Sequence, residues 1–146
     1  PRQPRRKMIV TKDDFVAKHF PEVDCGREPC GNRITVQLMR VPRKHGSILI
    51  ASETQDFNRN STAVCRVVKI GHIAFKHRET GEQWKEGAWA EIGDIVLMPR
   101  YGGMNRVEIP VPGASEDDSP VIFATYNDYD VLDRVVGQFE HHSKLL

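Results

Sequence analysis

No apolar run in this chain is long enough to cross a bilayer. The basic start, Arg2, Arg5, Arg6 and Lys7, is not followed by the apolar stretch of a secretory leader. Neither sign of charge dominates. With 21 Lys and Arg against 20 Asp and Glu, the chain lacks the net charge that drives binding to nucleic acid or to an acidic membrane. An interleaved aromatic and basic face is missing too, which disfavours a nucleic-acid-binding barrel. The chain has three cysteines, Cys25, Cys30 and Cys65. An odd count argues against a fully paired disulfide framework and points to a reducing, cytoplasmic setting.

The common catalytic signatures are also missing. There is no Gly-rich phosphate loop, no Gly-x-Ser-x-Gly and no His-Glu-x-x-His. Carboxylates are scattered through turns and tails. No βαβ alternation appears, so a parallel-sheet enzyme fold is not expected, and there is no internal repeat. Neither catalysis nor a cofactor is expected. Cys25 and Cys30, taken with His19 or His45, raise the question of zinc. Structural zinc takes four ligands, normally as two closely spaced pairs, and two such pairs are not present. A Cys25–Cys30 disulfide stays open if the protein meets an oxidant. Cys65 reads as a small apolar packing residue, and His141-His142 as solvated.

What is present divides into three parts. Residues 1–31 form an extension. Thr11 reads as a helix N-cap with Asp14 as its capping partner. The helix runs through Phe15, Val16, Lys18 and His19 to Phe20, where Pro21 stops it. Val16 and Phe20, four apart, are expected to share the face that pins this helix to the barrel or to a neighbouring subunit.

Residues 32–136 carry strand signals. Ile34, Val36 and Leu38 alternate with Thr35, Gln37 and Met39. A polar stretch from Pro42 to about Thr62 is interrupted by one apolar island, Ile48-Leu49-Ile50. Strand pattern resumes over Ala63–Ile70 and ends at Gly71. Ile73-Ala74-Phe75 leads into a hairpin turn at Glu79-Thr80-Gly81-Glu82, from which Gln83-Trp84 returns. Gly93-Asp94 is a turn before a buried strand, Ile95–Met98. Tyr101-Gly102-Gly103 is another turn, Val107–Ile109 a short strand, and 110–120 an acidic, proline-rich loop. Val121–Ala124 is the last clear strand, and Asp128–Val136 ends the domain. Residues 137–146 are a tail. Short strands separated by close turns suggest an all-β barrel or sandwich.

The order of these segments resembles the GroES-type co-chaperonins. Asn32-Arg33-Ile34-Thr35-Val36 sits where that family has its first strand. Gly46-Ser47-Ile48-Leu49-Ile50 is similar to its mobile-loop motif, with Ser47 where glycine is usual. Arg66–Gly71 resembles the strand after the loop. Ile92-Gly93-Asp94-Ile95-Val96-Leu97 matches the family's most recognisable run. Tyr101-Gly102-Gly103 and Asp128–Leu132 follow in the family's order. Residues 1–31 and 137–146 have no counterpart in the short bacterial members. The loop after the aliphatic triplet and the 110–120 loop are longer than usual. Additions of this kind are similar to those of co-chaperonins from large bacteriophages.

The resemblance implies a small GroES-like β-barrel with a long mobile loop, a roof hairpin over 75–84 and a short N-terminal helical extension. It implies a homo-oligomer, a seven-subunit ring, that binds the rim of a chaperonin ring in the cytoplasm of a bacterial or phage-infected cell. Gly46, Ser47, Ile48, Leu49 and Ile50 would make the contact. The partner ring, not this chain, would bind and hydrolyse ATP. Zinc-dependent alcohol dehydrogenases also contain a GroES-like domain, but they need a dinucleotide-binding domain and a ligand set that this chain lacks. Two alternatives stay open. The triplet reads equally as a strand tucked into a neighbour, and the same barrel would serve as a structural or assembly component of a virion.

Overall fold

The computed structural model describes residues 10–40, 62–115 and 118–142. Among the described residues six antiparallel strands form one sheet: β1 Arg33–Leu38, β2 Thr62–Ile70, β3 Ile95–Pro99, β4 Met104–Ile109, β5 Val121–Asn127 and β6 Asp133–Val135. Their order is β4-β5-β1-β2-β3-β6, so β1 and β2 are central and β4 and β6 are the edges. Helix α1, Lys12–His19, precedes the sheet, and a four-residue helix α2, Phe139–His142, follows it. The protein is thus a small, mostly β fold with little helix. Among the described residues no helix is long and apolar enough to cross a membrane.

The alternation in β1 predicts one buried face and one polar face. Instead Ile34, Thr35, Val36 and Gln37 are all buried. Ile34 and Val36 join Cys65, Val67, Val96, Met98, Ala124 and Tyr126 in the main core, which is covered by Phe75, Trp84 and Trp89 from the 71–90 segment. The other face is covered by the N-terminal segment and α2. Phe15, Phe20 and Phe139 pack there on Val64, Ile95 and Val135. Gln37 donates to Pro21 O at 2.9 Å and accepts from Arg66 Nη2 at 2.9 Å, so its polar ends are satisfied although no water reaches them. Arg66 continues to Glu22 Oε1 at 3.1 Å and lies over the Phe20 ring. Residues 20–22 are thereby fastened across the sheet.

The helix begins as its local chemistry predicts. Thr11 Oγ1 accepts from Asp14 N, and the Asp14 carboxylate accepts from Thr11 N. Its buried face differs from the Val16/Phe20 expectation. Phe15 and His19 are the buried helical residues, and Val16 is half-buried. Phe20 is buried as well, but it follows the last helical turn with φ −129° and ψ 77°, so helical spacing no longer governs where it points.

The sheet is strongly curved. The Tyr126 hydroxyl on β5 donates to Pro99 O at the end of β3, at 2.8 Å. Tyr126 is level with Ile34 and Ile70, whereas Pro99 is level with Thr62. On a flat sheet these two residues would stand roughly 30 Å apart, from about 4.8 Å per strand spacing and about 3.3 Å per residue. A tyrosine reaches only a fraction of that distance, so the sheet must roll until β5 and β3 converge. The short turn Arg100–Gly103 joins β3 to β4, and β4 pairs with β5, which requires the same curl.

Two strands run further than their sequence suggests. β5 continues through Thr125, Tyr126 and Asn127 because β1 pairs with it as far as Arg33↔Asn127. β4 starts at Met104, with a register shift before Val107. The 73–84 hairpin is narrower than predicted. One isolated bridge, Lys76↔Gln83, joins its arms, because Phe75 adopts a left-handed φ of 60° and Ile73-Ala74 lie in turns.

Candidate interaction site

Gly46, Ser47, Ile48, Leu49 and Ile50 lie outside the described residues. The structure does define the two points between which their segment runs. Residues 41–61 connect β1 to β2, so the segment leaves after Arg40 and rejoins at Thr62. Both points are held by hydrogen bonds. On the outgoing side Met39 N donates to Val64 O at 2.9 Å, the last sheet bond before the exit. Arg40 N then donates to His19 O at 2.9 Å, and Arg40 Nε donates to Ser119 O at 2.9 Å. On the returning side Thr62 O accepts from Arg100 Nε at 3.1 Å.

His19 belongs to this base. The residue is 4% exposed, and its ring packs at a tilt with its centroid 4.9 Å from that of Phe15 and Nδ1 3.3 Å from Arg40 O. Because a carbonyl can only accept, Nδ1 carries the proton. Nε2 is then a buried nitrogen without a partner among the described residues. Burial holds the imidazole below its ordinary value of 6.5. The Arg40 carbonyl pulls the other way, and neighbouring Lys18 adds to the lowering.

The opposite end of the β1–β2 pair carries the 71–94 segment. Asp128 ties it down. This buried carboxylate accepts from Phe75 N at 2.9 Å, Tyr129 N at 2.8 Å and Asn32 Nδ2 at 3.3 Å. Phe75 packs edge-on against Trp84 with centroids 5.6 Å apart, and Trp84 against Trp89 at 4.8 Å. The hairpin turn is where the sequence predicts it. His77 N donates to Glu82 O at 2.7 Å and Gly81 N to His77 O at 2.8 Å. His77, Arg78, Glu79 and Glu82 are exposed, while Lys76 is half-buried. β1 spans six residues, so this end stands roughly 20 Å from the base of the 41–61 connection.

The cysteines are all free thiols. Cys65 is fully buried, and burial pushes its thiol up to about 12, which leaves it a packing residue with no thiolate at neutral pH. Cys25 is buried with Sγ donating to Arg27 O, whereas Cys30 is exposed. Among the described residues no three of His, Cys, Asp and Glu come together as metal ligands would. A surface cavity of about 280 Å³ beside Cys25 has both signs of charge in its wall, with Arg66 already engaged by Glu22 and Gln37.

Neither Arg40 nor Ser119 stands out in the sequence, and His19 stands out there only as a helix residue and a candidate metal ligand. The bonds that join them run to main-chain carbonyls, which any residue type supplies. No protein-family model matches this chain, and a search of curated proteins returns no match.

Proposed function

We propose that this protein is a co-chaperonin of the GroES type, a ring-forming lid that binds the rim of a chaperonin through the 41–61 connection. The single observation that best supports this is polarity. The connection that holds Ile48-Leu49-Ile50 is fastened at one end of the β1–β2 pair, and the 71–94 segment with its hairpin covers the other. A lid needs one end to grip the rim and the other to roof the chamber. The strong curl of the sheet supports the finer reading of the fold as a small barrel.

Energetics fit a reversible lid. Burying each aliphatic of the triplet contributes roughly 1.5–3 kcal/mol. Association itself consumes a large part of that gain. A single copy should therefore bind weakly, and a seven-subunit ring, as the resemblance implies, multiplies weak contacts into firm capping.

The test is to mix the protein with a chaperonin ring and ATP and to measure capped complexes by sedimentation or electron microscopy. Wild type is expected to cap, and Leu49→Asp to fail. Equal behaviour of the two would remove the triplet from the contact. Failure of both, with co-purification on virus particles, would favour a structural role in a virion. A monomer in solution would count against a lid.

A further inference from the structure

Arg40 lies beyond the last residue of β1, yet both polar groups of its backbone are taken. Its N–H donates to His19 O, and its carbonyl accepts from His19 Nδ1. One residue at the end of α1 thus grips the N–H and the C=O of one residue at the exit of the 41–61 connection. The imidazole is an expensive way to fill this position. A leucine would pack beside Phe15 without burying a nitrogen that has no partner among the described residues. What the imidazole adds is the bond to Arg40. From that joint Arg40 Nε reaches on to Ser119 O, in the connection between β4 and β5. The mount is itself fixed, by the Thr11–Asp14 capping box, the Lys12–Asp94 ion pair at 3.3 Å and the burial of Phe15 and Phe20.

We propose that His19 is a positioning residue: acting through Arg40, it sets where the 41–61 connection leaves the sheet, and the segment 10–20 serves as its mount. The functional consequence rests on the co-chaperonin reading; the geometry does not. An anchored stem has already lost conformational freedom that partner binding would otherwise have to remove. In a ring the gain repeats at every copy.

The test uses the full chain, with residue-resolved amide exchange beside a capping titration against a chaperonin ring and ATP. His19→Leu is expected to speed exchange at the Arg40 amide about tenfold or more while Val36 and Val67 stay within about twofold. His19→Asn, whose side-chain N–H can serve the same carbonyl, is expected to restore most of the protection. Arg40→Met keeps the backbone pair, removes the tie to Ser119 and should weaken capping less than His19→Leu, for which a fall of about tenfold is expected. Unchanged exchange at Arg40 in His19→Leu would overturn the proposal, as would acceleration of Val36 and Val67 in parallel, because His19 would then be core packing alone. Faster Arg40 exchange with undiminished capping would overturn the functional half. If wild type caps no chaperonin, the co-chaperonin reading falls, and the Arg40 exchange still decides whether His19 holds the exit.

Discussion

Replacing Asp128 with asparagine turns one buried acceptor atom into a donor. The Asp128 Oδ1 atom accepts from Tyr129 N and Asn32 Nδ2, and Oδ2 accepts from Phe75 N. The least costly placement of asparagine keeps its oxygen toward the first two donors. Its amide nitrogen then faces the Phe75 N–H, and that bond is lost with both donors left in a site only 2% exposed. A hydrogen bond to a charged group contributes about 1.5–3 kcal/mol, and the two surviving bonds lose their charge assistance, so the total is about 2–4 kcal/mol. The damage should begin at Phe75, whose left-handed φ of 60° is held in place by this bond. Trp84 and Trp89 are the only tryptophans in the chain, and both pack around Phe75, so tryptophan emission reports on this segment alone. In urea, with a slope of about 1–3 kcal/mol per molar, the tryptophan midpoint of Asp128→Asn should fall by about 1–2 M. Circular dichroism of the sheet should fall by less if the segment opens first. An unchanged tryptophan midpoint would refute the role given to Asp128.

Gly71→Ala would drive a Cβ into Gly31 O and to 2.7 Å from Arg33 O, both main-chain atoms, so chemical denaturation should show a loss of about 2–3 kcal/mol. A loss within error would mean that the joint between residues 31–33 and the end of β2 yields easily. Tyr126→Phe removes the donor to Pro99 O and should cost about 1 kcal/mol in the same assay, with the circular dichroism spectrum retained. His19 binds its proton less readily in the folded chain than in the unfolded one, so its contribution is complete above pH 6.5 and is lost as pH falls below that value. Melting temperature should therefore drop between about pH 6.5 and 5 by more in wild type than in His19→Leu, and parallel curves would contradict the assignment.

The parts of this fold that were legible in the sequence are those set by neighbouring residues. Thr11 and Asp14 are three apart and make their capping box whatever the rest of the chain does. Pro21 ends the helix for a reason internal to proline. The alternation in β1 marks a strand correctly, and the Gly93-Asp94 turn stands just before β3. The failures have a common cause. Thr35 and Gln37 look like an outward polar face, and both are buried; Gln37 is capped by Pro21, whose carbonyl it bonds. Thr125-Tyr126-Asn127 reads as the end of a strand, and it continues because β1 is there to pair with it. β6 contains Asp133 and Arg134, two exposed charges that give no strand signal of their own, yet it borders β3 through the register Ile95↔Val135.

The candidate site divides in the same way. The triplet Ile48-Leu49-Ile50 stands out by hydropathy contrast with its neighbours, a local signal, and it lies outside the described residues. The base of its segment gives no such signal, because it is assembled from contacts distant in sequence. His19 and Arg40 are separated by twenty intervening residues, and Arg40 and Ser119 by most of the chain. Each contact uses a carbonyl that carries no side-chain identity. The N-terminal extension illustrates the consequence. It precedes the first strand signal, so it reads in sequence as an appendage. In the fold it supplies Phe15 and Phe20 to the second core and His19 to the exit of the 41–61 connection. Removing residues 10–20 should therefore disturb the sheet face and the base of that connection together. Substituting His19 alone separates the two effects, since it leaves both phenylalanines in place.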